Sequence, residues 1–151
     1  MQIERDDLSR PQVHALLQEH LQSMRALSPP ESVHALDIQK LRQPEIAFWT
    51  AWEGSSLLGC GALKAISLTD GEVKSMRTAA AHRRRGVARA ILDRILQEAG
   101  DRSYQRLWLE TGSAAAFEPA RQLYASAGFR PCPPFGDYVE DPNSVFMMKA
   151  L

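Results

Sequence analysis

The chain lacks most marks of a secreted, membrane-borne or metal-holding protein. It has two cysteines in 151 residues, Cys60 and Cys132. There is no Cys-x-x-Cys and no Cys/His pairing at zinc spacing, so two free thiols in a reducing compartment and no metal are expected. No apolar run approaches the ~20 residues of a membrane helix. The N-terminus lacks the charged-then-apolar pattern of a signal peptide. The expectation is a cytoplasmic protein with no membrane partner. An excess of one charge is also missing: 18 basic and 18 acidic residues give a net charge of zero. Nucleic-acid binders usually carry a basic excess, so no nucleic-acid partner is expected. Internal repeats and low-complexity segments are absent as well.

What remains is an ordinary globular composition, 44% hydrophobic, in one domain spanning residues 1–151. Residues 1–5 suit a short strand. Ser9 and Gln12 form a capping-box pattern ahead of Val13, Leu16, Leu17, His20, Leu21 and Met24, one face of an amphipathic helix. Ser28-Pro29-Pro30 ends that helix, and Leu36 to Leu41 suits a second, short one. Ile46 to Trp52 and Leu57 to Ile66 read as a hairpin across the turn 53–56. Thr69-Asp70-Gly71 is a turn into a fourth strand, Glu72 to Thr78. Ala88 to Ala99 is strongly helical, with Gly100 placed to end it. Tyr104 to Glu110 is a fifth strand, parallel to the fourth by the crossover rule. A helix from Phe117 to Ala127 precedes two closing strands, Phe129 onward and Ser144 to Lys149. The fold class is α/β, in the order β-α-α-β-β-β-α-β-α-β-β.

The most informative stretch joins the fourth strand to the third helix: His82-Arg83-Arg84-Arg85-Gly86-Val87-Ala88. The open N–H groups of a first helical turn, with the helix dipole, favour an anion. Gly86 has no side chain to keep an anion away. Arginine adds forked, permanent charge that matches phosphate oxygens. A triple arginine run is commonly a solvated face. The glycine and the strand-to-helix context favour a pyrophosphate grip instead.

This junction resembles the signature of the GNAT acetyltransferase superfamily: Gln or Arg, two residues, Gly, one residue, then Gly or Ala. Arg83, Gly86 and Ala88 match it in order. Leu123-Tyr124 and Gly128-Phe129 match a second family feature, one strand later. The resemblance covers the whole chain. It implies the GNAT fold, a mixed and mostly antiparallel sheet of six to seven strands flanked by about four helices. It also implies acetyl-CoA as co-substrate, with its pyrophosphate on Arg83, Arg84, Arg85, Gly86, Val87 and Ala88. The pantetheine arm would lie along the backbone of Met76, Arg77 and Thr78, in the manner of an added strand. Tyr124 would protonate the leaving thiolate, and Glu72 would accept the proton of a primary amine. Strand alternation places Glu72 on the face of Met76 unless a bulge intervenes. Many members carry asparagine where this chain has Phe117, so that contact is missing or comes from elsewhere, with Ser113 as a candidate.

The acceptor, a small-molecule or peptide amine, is expected between the first two helices and the last strands. Glu31 and His34 on one side, Trp49 from the second strand, and Asp137 and Tyr138 across from them are the candidates, the last two in an acidic loop suited to a cation. The reading is direct acetyl transfer in a ternary complex. Cys60 has no base partner, so a covalent enzyme intermediate is not expected. The alternative is a non-catalytic acyl-CoA-binding regulatory module. Dimers are common in the family, which makes a homodimer an open expectation.

Overall fold

A computed structural model describes all of residues 1–151. Seven strands, β1 (Gln2–Arg5), β2 (Ile46–Glu53), β3 (Ser56–Ala65), β4 (Asp70–Thr78), β5 (Arg106–Gly112), β6 (Arg130–Cys132) and β7 (Ser144–Ala150), form one sheet. The helices are α1 (Pro11–Leu27), α2 (Ile38–Leu41), α3 (Val87–Asp101) and α4 (Glu118–Ser126). The sheet order is β1-β2-β3-β4-β5-β7-β6. Every pair is antiparallel except β4 with β5. The helix between those two strands supplies the crossover that parallel pairing needs. Element order and strand pairing match the sequence expectation.

Two apolar clusters sandwich the sheet. On one face α3 and α4 pack Val87, Ile91, Ile95 and Tyr124 against Trp49, Leu63, Val73 and Leu107. On the other, α1 presents Val13, Leu16 and Leu17 to Phe48, Cys60 and Ala62. Strand β2 is buried on both faces, which is why it reads as a continuous apolar run.

Local details depart from the sequence reading. The capping box does not form: α1 starts at Pro11, one position after Arg10, and the Ser9 hydroxyl bonds Asp7 instead. Proline at the first helical position needs no N–H partner, so it sets the start. Gly100 does not end α3, which continues to Asp101, and Ser103 takes the left-handed turn at φ 60°. The turn before β4 lies at 66–69, with Ile66 and Ser67 N–H groups bonded to Asp70.

The consequential departure is a bulge in β4. Cys60 pairs with Arg77 and Ala62 with Lys74, so two residues of β4, Ser75 and Met76, oppose the single Gly61 of β3. Ser75 sits in the bulge at φ 56°, left-handed for a residue with a Cβ. Side-chain alternation therefore inverts. Met76 joins Val73 on the α3 face, while Arg77 reaches Glu19 on α1. Glu72 and Met76 lie on opposite faces, contrary to simple alternation.

Candidate active site

Strand β4 pairs with β5 only from Asp70 to Val73. Beyond Val73 the two strands diverge, leaving the β5-facing backbone edge of Lys74 to Thr78 without a ladder partner. A cavity of about 530 Å³ occupies this opening. Its lining includes His20 and Met24 of α1 on one side and Phe117, Ala120 and Tyr124 near α4 on the other. The cavity thus runs through the sheet and meets both layers. A donor and an acceptor can approach one point from opposite faces.

At one end lies the arginine-rich junction. Gly86 caps α3 at φ 77°, with no side-chain cap on the helix. Arg84 is also left-handed, at φ 63°. These two turns present successive backbone N–H groups outward, a concavity suited to an anion. A Cβ on Gly86 would meet nothing within 4 Å, so open space lies in front of it. Arg83, Arg84 and Arg85 are exposed. Arg85 is engaged by Glu53 at 3.1 Å and by the His82 ring at 2.8 Å. Arg83 lines the cavity. The residues present therefore fit a diphosphate: free N–H groups, a helix dipole and unpaired guanidinium groups.

In the opening, Tyr124 is 6% exposed and lines the cavity. Burial, reinforced by the charge of Glu110, raises its phenol above the usual range. It keeps its proton at every ordinary pH. Glu72 is 4% exposed. Its Oε2 accepts the Tyr138 hydroxyl at 2.6 Å and the Lys74 ammonium at 3.1 Å. Lys74 also donates to the Tyr138 oxygen at 2.9 Å. This closed triangle ties β4 to the loop between β6 and β7.

Glu110 is the residue that sequence reasoning missed. It closes the predicted fifth strand, where a single Glu carries no motif. The structure turns it into the cavity beside Tyr124. Burial pushes its carboxyl up to about 7; Ser144 and Lys74 pull the other way, and the charges of Glu72 and Asp141 push further. The only legible signal was alternation: Leu107 and Leu109 are core, so Glu110 must face away from them.

Among the expected acceptor contacts, His34 and Tyr138 come together, their rings edge to face at 4.9 Å. His34 lines the cavity, and burial, then Lys74, lowers its pKa. Trp49 does not belong: it is fully buried in the α3-side core, with Arg5 and Arg94 over its ring at 5.3 and 5.4 Å. The period of β2 decides this, because Trp49 faces the larger core. Glu31 and Asp137 are exposed and outside the cavity lining. Their loops are held instead by Ser32, whose hydroxyl donates to Asp141 at 2.6 Å. Nor does Ser113 stand in for the asparagine: it donates to the Pro142 carbonyl at 2.7 Å. Phe117 fills that region with its ring against Gly112, where any Cβ would collide. Cys60 is fully buried, and burial pushes its thiol up to about 12, which makes it unreactive.

Comparison with known proteins agrees with this geometry. The acetyltransferase (GNAT) family matches residues 13–129. The chain is 61% identical over 151 residues to the uncharacterised N-acetyltransferase YsnE of Bacillus subtilis, covering 100% of both. It is 38% identical over 151 residues to an IAA acetyltransferase of Azospirillum brasilense, covering 99% of this chain and 97% of that one. A GNAT family acetyltransferase from Elizabethkingia anophelis, solved with acetyl-CoA bound, shares the fold at a TM-score of 0.69. That pair is 16% identical, covering 99% of this chain and 97% of the other. With the family signature on the exposed junction and the cavity passing through the parted sheet, the chain belongs to the acetyltransferase (GNAT) family and is an acyltransferase.

Proposed function

We propose that the protein transfers the acetyl group of acetyl-CoA to a primary amine, directly, within a ternary complex. The observation that carries this reading is the cavity through the β4–β5 opening, lined by both a buried phenol and a carboxyl raised to about 7. The junction Arg83 to Ala88 takes the pyrophosphate. The unpaired edge at Met76, Arg77 and Thr78 offers main-chain hydrogen bonds to the pantetheine amides. Those same backbone groups polarise the thioester carbonyl and stabilise the developing oxyanion.

Two carboxylates reach the acceptor side. Glu72, expected as the base, has an oxygen engaged by both Tyr138 and Lys74. Its role in this reading is to hold the network and, through its charge, to help keep Glu110 near neutral pKa. Glu110 accepts one proton from the substrate ammonium and passes it to water. The freed lone pair attacks the thioester carbon; the C–N bond forms and the C–S bond breaks. Tyr124 gives its proton to the departing thiolate, and the second amine proton restores the phenol. The balance is one ammonium and one thioester in, one amide, one thiol and one proton out. Cys60 takes no part.

The test is thiol release from acetyl-CoA across a panel of amines, for the wild-type chain and Tyr124→Phe. Turnover of at least one amine, reduced on the order of 100-fold in kcat by the substitution, supports the reading. Binding of acetyl-CoA without any acetylated product would overturn it.

A further inference from the structure

Three polar groups of the cavity have no partner within the protein. The Nδ1 of His20, the Oγ of Ser75 and the Nε of Arg77 are all buried and unbonded. All three residues line the same cavity. His20 is 7% exposed and Ser75 is 9%. The Arg77 side chain is 12% exposed. Buried polar groups are nearly always satisfied, so three orphans among the residues lining one cavity call for a ligand group that satisfies them.

The backbone brings them together deliberately. The bulge in β4 carries Ser75 at its left-handed φ of 56°. It also turns Arg77 onto the α1 face, where Glu19 takes one of its terminal nitrogens at 2.9 Å. Glu19 precedes His20 on α1, so the ion pair sets the guanidinium beside the imidazole. Cys60 links the remaining member: it pairs with Arg77 across the strands and its thiol bonds the Ser75 carbonyl at 3.3 Å. A non-glycine residue held at positive φ is strain commonly stored where a site needs it. Burial and the charge of Arg77 lower the pKa of His20 to about 4, so the ring is neutral and can donate from Nδ1.

The three groups can thus offer donors to one ligand: an arginine N–H, a hydroxyl and an imidazole N–H. Two or three donors beside a positive charge match a carboxylate. The same cavity is lined by Glu110 and by Glu72, whose carboxylates suit an ammonium. We infer that the acceptor is an amino acid, its carboxylate held by Arg77, Ser75 and His20 and its amino group turned toward Glu110 and the thioester. This rests on the acetyltransferase reading above and narrows it to one substrate class.

The experiment compares each of the common amino acids with its carboxamide and its decarboxylated amine. Two readouts are used, thiol release from acetyl-CoA and calorimetric binding to the CoA-loaded protein. The expected result is that at least one amino acid exceeds both analogues by about 10–100-fold in kcat/KM, the worth of charge-assisted hydrogen bonds. Ser75→Gly removes the hydroxyl while suiting the left-handed backbone, so the strand keeps its bulge. That variant raises KM for the amino acid about 10-fold. It leaves KM for the decarboxylated amine and for acetyl-CoA unchanged. If carboxamides or plain amines are acetylated as well as amino acids, or if Ser75→Gly affects acid and amine alike, the inference is overturned and the acetyltransferase reading stands. If none of these compounds is bound or acetylated while another amine is turned over, the inference alone is overturned; if no amine of the wider panel is acetylated, both fall.

Discussion

In the proposed reading a single carboxyl, that of Glu110, sets the pH response of the site. Burial raises its pKa from 4.5 to about 7, so it changes charge near neutral pH. A base must be ionised, so kcat/KM is expected to rise with pH through about 7 and then level off. Glu110→Gln should abolish that limb and lower the plateau by about 100- to 10,000-fold; a pH-rate profile checks it. An unchanged limb at pH 7 would move the base elsewhere. Tyr124 behaves differently. Its phenol stays protonated throughout, so Tyr124→Phe should lower kcat without shifting the acid limb. Steady-state kinetics at several pH values separate the two residues, because one controls shape and the other height.

Two elements carry the remaining weight, the α3 entry and the bulged β4. At the entry, Arg83 lines the cavity and Gly86 supplies the left-handed cap. Arg83→Ala is expected to raise KM for acetyl-CoA about 10-fold with little change in kcat, as for a lost charge-assisted hydrogen bond. Varying acetyl-CoA at saturating amine reads this directly. Along its length α3 packs against β3 closely enough to require glycine. A Cβ at Gly61 would fall 2.5 Å from the Met76 sulfur and 2.7 Å from Ile91. Gly61→Val should therefore destabilise the fold by about 1–3 kcal/mol through overpacking. Urea unfolding measures it, and a midpoint unchanged from wild type would show that the helix can retreat. Met76 is the shared part, since its side chain fills the core while its backbone edge faces the opening.

Across the whole molecule, stability and ligand occupancy should both depend on the parted sheet. Glu110 binds its proton more tightly folded than unfolded. Stability from this group is therefore fully present below pH 4.5 and is lost as pH rises through about 7. Glu110→Gln should remove that decline, so the variant gains over wild type at pH 8 and not at pH 4; thermal melts at the two pH values check the sign. Acetyl-CoA should in turn raise the melting point, by about 2.7 kcal/mol of stabilisation at one hundred times its Kd. Glu72 and Lys74 extend the same logic to the loop between β6 and β7, which hangs on their contacts with Tyr138.

The element order, the parallel pairing and the exposed arginine-rich helix start were legible in the sequence because each depends on local chemistry. Hydrophobic period sets α1 and α3, the crossover rule sets β4 beside β5, and Arg83 with Gly86 marks a helix start open to anions. Tyr124, singled out by its motif, lines the cavity. The faces of residues beyond a bulge were not legible. One extra residue in β4 sends Met76 into one core and Arg77 toward α1, and nothing local to Ser75 announces it. Trp49 failed as a contact for the related reason that β2 is buried on both sides, so composition could not say which side it faced. Glu110 has no motif at all; only the divergence of two strands makes it a buried acid. The sequence by itself determined the elements and the glycine-opened, arginine-rich start of α3, because those follow from neighbours along the chain. Which charges share a cavity, and with what pKa, was decided by the tertiary structure, because burial and proximity belong to residues brought together from distant segments.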